Sequence, residues 1–159
     1  GEYALFGGGA GISSTVDAYN TSLVRTTPTA LSVARFNLAA TTVGNYALFG
    51  GGNVGNGYSI AVDAYNTSLV RTTPTALSNA RGDLAATTVG DYALFGGGTG
   101  GSHSSVVDAY KSYPDTYPLW ITPGSKYNFG AGEQVATSSV VIVTNPVTGY
   151  IKYKKGVVS

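Results

Sequence analysis

Tyr46–Gly52, which reads Tyr-Ala-Leu-Phe-Gly-Gly-Gly, decides how the rest of the chain is read. The same seven residues stand at Tyr3–Gly9 and at Tyr92–Gly98. A longer phrase returns around them. Val16–Ser32 and Val62–Ser78 are identical over seventeen positions at an offset of 46 residues, and Leu38–Gly44 and Leu84–Gly90 keep that offset. A third copy opens at Val107-Asp108-Ala109-Tyr110 and then diverges. Self-similarity at this period is the mark of a repeat architecture.

Each repeat holds four short apolar segments separated by turn residues. In the best-preserved copy these are Leu38–Val43, Tyr46–Phe49, Val62–Tyr65 and Leu69–Thr73. They are rich in β-branched and aromatic residues and too short for helices, so strands are expected. Gly44-Asn45 is a tight hairpin signal. Gly50 and Gly51 end the second strand, Asn66-Thr67-Ser68 is turn chemistry, and Pro74 removes a ladder donor and closes the fourth strand. Thr75–Arg81 reads as a connection. Four strands per repeat predict an all-β chain of propeller blades.

These residues resemble the kelch repeat. The likeness lies in the Gly50-Gly51 doublet after an apolar strand, the Val62–Tyr65 strand, and Arg81 before the next strand, with Arg35 at that place in the preceding copy. It covers about residues 1–110. The family implies β-propellers of four-stranded blades, here about three, near 1–37, 38–83 and 84–122. The first lacks a strand matching Leu38–Val43. Kelch repeats carry a Trp about ten residues before the Arg. This chain has Val70-Arg71 and Val24-Arg25 there, so its blades must pack against one another by other means.

After Tyr110 the pattern decays. Lys111–Pro123 contains three prolines and Trp120, and Tyr117–Ile121 is a candidate outer strand for the third blade. Residues 123–159 read as a short C-terminal β-module, with strands at Val135–Thr144 and Tyr150–Lys154 around the Asn145–Gly149 turn. Val135–Val140 faintly echoes Leu38–Val43, so it is a candidate for closing the first blade. A separate cap is the alternative.

Composition narrows the function. Charged residues make up 11% of the chain and the net charge is +1. That leaves no electrostatic case for nucleic acid. No apolar run approaches 18 residues, so no transmembrane helix or membrane insertion is expected. Cysteine is absent, which excludes disulfides and cysteine metal sites. Gly1-Glu2-Tyr3 matches Gly44-Asn45-Tyr46, so the sequence opens in mid-repeat, as a fragment of a longer repeat protein or a processed chain would.

Catalysis needs a cluster of titratable groups or a metal, and the supply is poor. The single histidine, His103, lies in a Gly/Ser loop. The kelch family includes a copper oxidase branch, but its His, Tyr and Cys ligands cannot be assembled here. No cofactor or metal is expected. Asp17, Asp63 and Asp108 recur at one position and read as structural, each accepting backbone hydrogen bonds at the adjacent turn. Arg35 and Arg81 read as holding a neighbouring blade's carbonyls. The triple glycines are not phosphate loops, because no Lys-Ser/Thr follows them.

The differences between copies are concentrated. The loop after the triple glycine (10–15, 53–61 and 99–106) changes in length and content, and the segment after the fourth strand changes in content, with Val33, Phe36 and Asn37 against Asn79, Gly82 and Asp83. Both fall on one face of an antiparallel blade, where loops on a rigid scaffold carry binding. Candidate contact residues are Phe36, Asn37, Asn53, Asn56, Tyr58, Asn79, Asp83 and His103. The expected function is non-enzymatic recognition of a cell-surface or carbohydrate target. The alternative is a structural unit that assembles through open blade edges into a ring or fibre. Low charge and Thr/Ser/Gly/Asn richness resemble phage tail-type or secreted surface proteins. The expected setting is therefore extracellular, on a cell surface or on a virion. The expected partners are a glycan or surface protein, together with a second copy of the chain or further blades.

Overall fold

The computed structural model describes residues 2–112 and, beyond them, four strands at 117–119, 126–128, 133–135 and 141–143. The chain divides into two compact units, Gly1–Ser112 and Tyr113–Ser159. The first unit is all-β, with three antiparallel sheets and no helix among the described residues. Sheet 1 is β1 (Tyr3–Gly7), β2 (Val16–Asn20) and β3 (Arg25–Thr26). Sheet 2 is β4 (Ala39–Val43), β5 (Tyr46–Gly50), β6 (Val62–Tyr65) and β7 (Arg71–Thr72). Sheet 3 is β8 (Ala85–Val89), β9 (Tyr92–Gly96) and β10 (Val107–Lys111).

Strand pairing sorts each repeat into two faces. In sheet 2, Phe49 lies opposite Asp63 and Ala47 opposite Tyr65, while Leu48 faces Ala64 and Gly50 faces Val62. Side chains alternate along a strand, so Ala47, Phe49, Asp63 and Tyr65 share one face and Leu48, Gly50, Val62 and Ala64 the other. The same register holds in sheets 1 and 3. The phenylalanine face of each sheet packs on the glycine face of the sheet before it. Phe49, Tyr65, Val16 and Leu31 form one core, with Leu5 and Leu38 against it. Phe95, Val62, Leu48, Leu77 and Leu84 belong to the next. Each phenylalanine also meets its own tyrosine edge-on, at 5.8 Å for Phe49–Tyr65 and 5.7 Å for Phe95–Tyr110.

The triple glycine has a division of labour that a strand-ending role does not cover. Gly50 is still inside β5, and a Cβ there would lie 2.8 Å from the ring of Phe95. It is a socket for the next sheet's aromatic ring. Gly51 has φ +67, and its Cβ would meet the Arg81 carbonyl at 2.5 Å. Only glycine combines that backbone conformation with so close an approach. The packing therefore does without the tryptophan of the kelch pattern. Val24 and Val70, beside the positions where that Trp would stand, are 56% and 54% exposed.

Several elements differ from the sequence reading. The strand expected over Leu69–Thr73 is reduced to Arg71–Thr72, because Leu69 takes φ +60 within the turn. Tyr117–Leu119 (β11) does not extend sheet 3. It pairs antiparallel with Val141–Val143 (β14) in the second unit, where Lys126–Asn128 (β12) also pairs with Glu133–Val135 (β13). The Arg-Thr phrase that forms β3 and β7 is lost from the sequence after Lys111, and Pro118 has no N–H to give a ladder. Of the strand expected at Val135–Thr144, only Val135 and Val141–Val143 are described. Tyr150–Lys154 and most of the proposed closing segment Val135–Val140 lie outside the described residues.

Candidate functional site

The repeated charges form an ion-pair clasp between sheets. Arg35 leaves the end of sheet 1 and enters sheet 2, where its Nη2 donates to Asp63 Oδ2 at 2.7 Å and to the Phe49 carbonyl at 3.1 Å. Both side chains are fully buried. Asp63 also accepts from the Ser32 N–H at 3.0 Å and the Ser32 hydroxyl at 3.1 Å, with Arg71 at 3.5 Å. Arg81 repeats the arrangement one sheet later. It donates to Asp108 and to the carbonyls of Phe95, Gly97 and Val106, and Ser78 N–H caps Asp108. The arginines thus hold the neighbouring sheet's carbonyls. Asp63 and Asp108 accept from the preceding repeat, Asp63 also from Arg71 of its own, and neither accepts from the turn that follows its strand. That turn is closed by Asn66, whose Oδ1 accepts from Ser68 and Val70 N–H. Asp17 has a looser partner, Arg25 at 3.7 Å, on a partly exposed surface.

Electrostatics follow from burial. Desolvation pulls the Arg35 guanidinium below its ordinary value, and Asp63 opposes that pull. Burial, aided by the neighbouring aspartate, pushes Tyr65 and Tyr110 up to about 12. The Tyr65 hydroxyl donates to the Thr29 carbonyl at 2.7 Å. These groups stabilise the stack. They are packed between sheets, and Tyr65 also borders a cleft with Tyr3, Asn45 and Tyr46.

The variable segments meet at one end of the sheets. Phe36 and Asn53 exchange backbone hydrogen bonds of 3.0 and 2.7 Å, and Asn53 bridges onward to Tyr58. One repeat later, Gly82 pairs with Thr99 in the same way, and Thr99 bridges to His103. The two clusters are joined, since Asn37 Nδ2 donates to Asp83 Oδ1 at 2.7 Å and Asp83 N–H donates to the Asn37 carbonyl at 3.0 Å. Asn37 and Asp83 both have positive φ, near 51° and 52°. A short polar side chain tolerates that conformation best. Tyr58 reaches across to Gly82, where a Cβ would lie 3.2 Å from its ring. The result is a continuous row of loops from Asn53 through Phe36, Asn37 and Asp83 to Thr99.

Within this row, Asn56, Asp83, Asn37 and His103 are exposed, while Phe36, Asn53 and Tyr58 are half-buried. Asn79 is exposed on the connection between β7 and β8. Asn37 and Asp83 are bonded to each other, so the more available polar groups are those at Asn56, Asn79 and His103. No three of His, Asp or Glu converge as a metal-ligand set among the described residues.

No family model and no curated protein matches the chain. It is similar to the solved structure of YjhT, with a TM-score of 0.50 and 14% sequence identity. The match covers 77% of this chain and 38% of that one, so the chain spans less than two fifths of that neighbour's length. At this identity the likeness is one of fold alone.

Proposed function

We propose that the three sheets are consecutive blades of a kelch-like propeller, and that the chain is a non-enzymatic recognition module working at the extracellular surface of a cell or virion. The target is a glycan or surface protein met by the loop row, with Asn56, Tyr58, Asn79 and His103 as the first contacts. One observation carries this reading: copies that are identical through their strands differ in the loops that join into this row. Asn and Tyr suit such a surface, since they give adaptable hydrogen bonds and aromatic area at low entropic cost.

The test is a glycan and surface-protein array probed with the chain and with two sets of variants. Tyr58→Ala and Asn56→Ala, on the variable loops, should weaken binding by about tenfold or more, as loss of a contact of 1.4 kcal/mol would. Thr21→Ala and Thr67→Ala, on the exposed turns at the other end, should leave it unchanged. Equal losses from both sets, or binding indifferent to the loop variants, would sink the proposal.

A further inference from the structure

The loop between β5 and β6 carries the chain's one Asn-Gly step, Asn56-Gly57. Every other asparagine is followed by a residue that has a Cβ. The step lies at the tip of a small hairpin. Asn53 bridges to Tyr58, and the Val54 N–H donates to the Gly57 carbonyl at 2.9 Å. Gly55, at φ +94, turns the chain, and its N–H donates to Asn53 Oδ1 at 2.7 Å.

Asn56 is bonded differently from the asparagines around it. Asn20 and Asn66 each accept from two backbone N–H groups of their turns, Asn53 accepts from Gly55, and Asn37 donates to Asp83. The Asn56 side chain is exposed and makes no hydrogen bond among the described residues. The Gly57 N–H likewise donates to none of them. A Cβ on Gly55 would lie 2.6 Å from Ile12, whereas one on Gly57 would meet no described residue within 4 Å. The hairpin is thus held at Gly55 and open at Gly57. With no Cβ beside it, the Gly57 nitrogen is unshielded and its backbone turns freely.

We infer that Asn56 is a site of spontaneous deamidation, with water as the co-reactant. The Gly57 nitrogen gives up its proton and attacks Asn56 Cγ. A new C–N bond forms, the Cγ–Nδ2 bond breaks, and Nδ2 leaves as ammonia with a proton in place of the one released. Water then opens the cyclic imide. Cleavage at Cγ leaves aspartate in an ordinary backbone. Cleavage at the main-chain carbonyl leaves isoaspartate, through whose side chain the backbone then runs. In sum, an amide and water give a carboxylic acid and ammonia, and nothing is oxidised or reduced. Either product places a negative charge on the loop row and takes the net charge from +1 to 0. Isoaspartate also adds a methylene to a hairpin that the Val54–Gly57 bond now closes. The reaction depends on the hairpin alone, and only its effect on binding rests on reading the loop row as a recognition surface.

The chain held in mildly alkaline buffer, digested at intervals and followed by mass spectrometry tests this. The peptide carrying Asn56 should gain the mass of an amide-to-acid exchange and split into two chromatographic peaks. Fragmentation should place the change at Asn56 while Asn20, Asn37, Asn53 and Asn66 stay amides. Gly57→Ala should slow the reaction by about tenfold or more, a barrier rise of about 1.4 kcal/mol. That variant should keep the circular dichroism of the parent, since Gly57 has room for a Cβ and no positive φ. An Asn56 that stays an amide as long as the other asparagines do, an equal rate in Gly57→Ala, or aspartate as the sole product would overturn the inference. For any target found on the loop row, the converted chain should bind about tenfold or more weakly, as Asn56→Ala should. Conversion that leaves such binding unchanged would overturn the effect on recognition and leave the modification standing.

Discussion

Asp17, Asp63 and Asp108 occupy one position of the repeat in three environments, which makes them an internal experiment on burial. Asp63→Ala removes the partner of a guanidinium with no exposed surface. Arg35 Nε and Nη1 already lack a hydrogen-bond partner among the described residues, so the stranded charge has little to fall back on. Breaking a buried pair from one side costs about 3–5 kcal/mol. Losing the acceptor for the Ser32 N–H and hydroxyl adds about 1 kcal/mol. The sum is a large part of the roughly 5–15 kcal/mol that holds a domain together. Asp17→Ala breaks a 3.7 Å contact to an Arg25 side chain that is 60% exposed, and costs under about 1 kcal/mol. Asp108, at 16% side-chain exposure, falls between them. The double variant Arg35→Met/Asp63→Leu removes both charges. Arg71 then turns to solvent, and most of the stability returns. Urea unfolding followed by circular dichroism gives these values from midpoints at constant slope. Equal losses for Asp63→Ala and Asp17→Ala, or a double variant as damaged as the single, would refute the account of the clasp.

Three further outcomes follow from the same geometry. Gly50→Ala should cost about 1–3 kcal/mol in urea unfolding because the Phe95 ring has no room to retreat, and a loss under about 0.5 kcal/mol would contradict the socket. Tyr65 is raised to about 12 in the folded chain against about 10 unfolded, so its contribution is intact below pH 10 and is lost as pH rises through 12. That loss amounts to about 2–3 kcal/mol. Tyr65→Phe should be about 1 kcal/mol less stable at neutral pH for want of the bond to Thr29, yet fall less steeply above pH 10, and parallel curves would contradict this. Asn66→Ala, which opens the turn before β7, should cost about 1 kcal/mol by thermal unfolding, more than Thr67→Ala beside it.

The strands were legible because a short segment in a repeated phrase is read several times over. Leu38–Val43, Tyr46–Phe49 and Val62–Tyr65 match β4, β5 and β6 within a residue at their ends. The turn at Asn66 obscured the fourth strand, since Leu69 looks like a strand residue and only its positive φ removes it. Gly50 read as a terminator because its work depends on Phe95, which lies 45 positions away and is visible only once sheets are stacked. The Arg35–Asp63 clasp spans 28 positions and Arg81–Asp108 spans 27. In a chain with so few charges, the joint recurrence of an arginine and an aspartate at nearly fixed separation was the available signal. The loop row was placed by topology alone, since the β5–β6 loop and the connection before β4 must emerge at the same end. The bonding of Asn37 to Asp83 has no counterpart in sequence pattern. Past Lys111 the phrase no longer repeats, and the pairing of Tyr117–Leu119 with Val141–Val143 had no second copy to announce it.

The clasp has a consequence for how the chain finds its fold. Arg35 and Arg81 meet aspartates set in the same surroundings, Val-Asp-Ala-Tyr in both cases. The four-residue phrase does not tell one address from the other, and Arg71 beside Asp63 is the difference between them. A sheet from a neighbouring molecule fits as well as the chain's own, so crowded refolding should yield exchanged assemblies in proportion to concentration. The one-residue difference between the 53–61 and 99–106 loops is a weak registration mark. The same indifference makes the array easy to lengthen. A duplicated repeat arrives with a ring for the glycine before it and an arginine for the aspartate after it. Copy number is thus free to vary, while fidelity depends on neighbours in sequence meeting first.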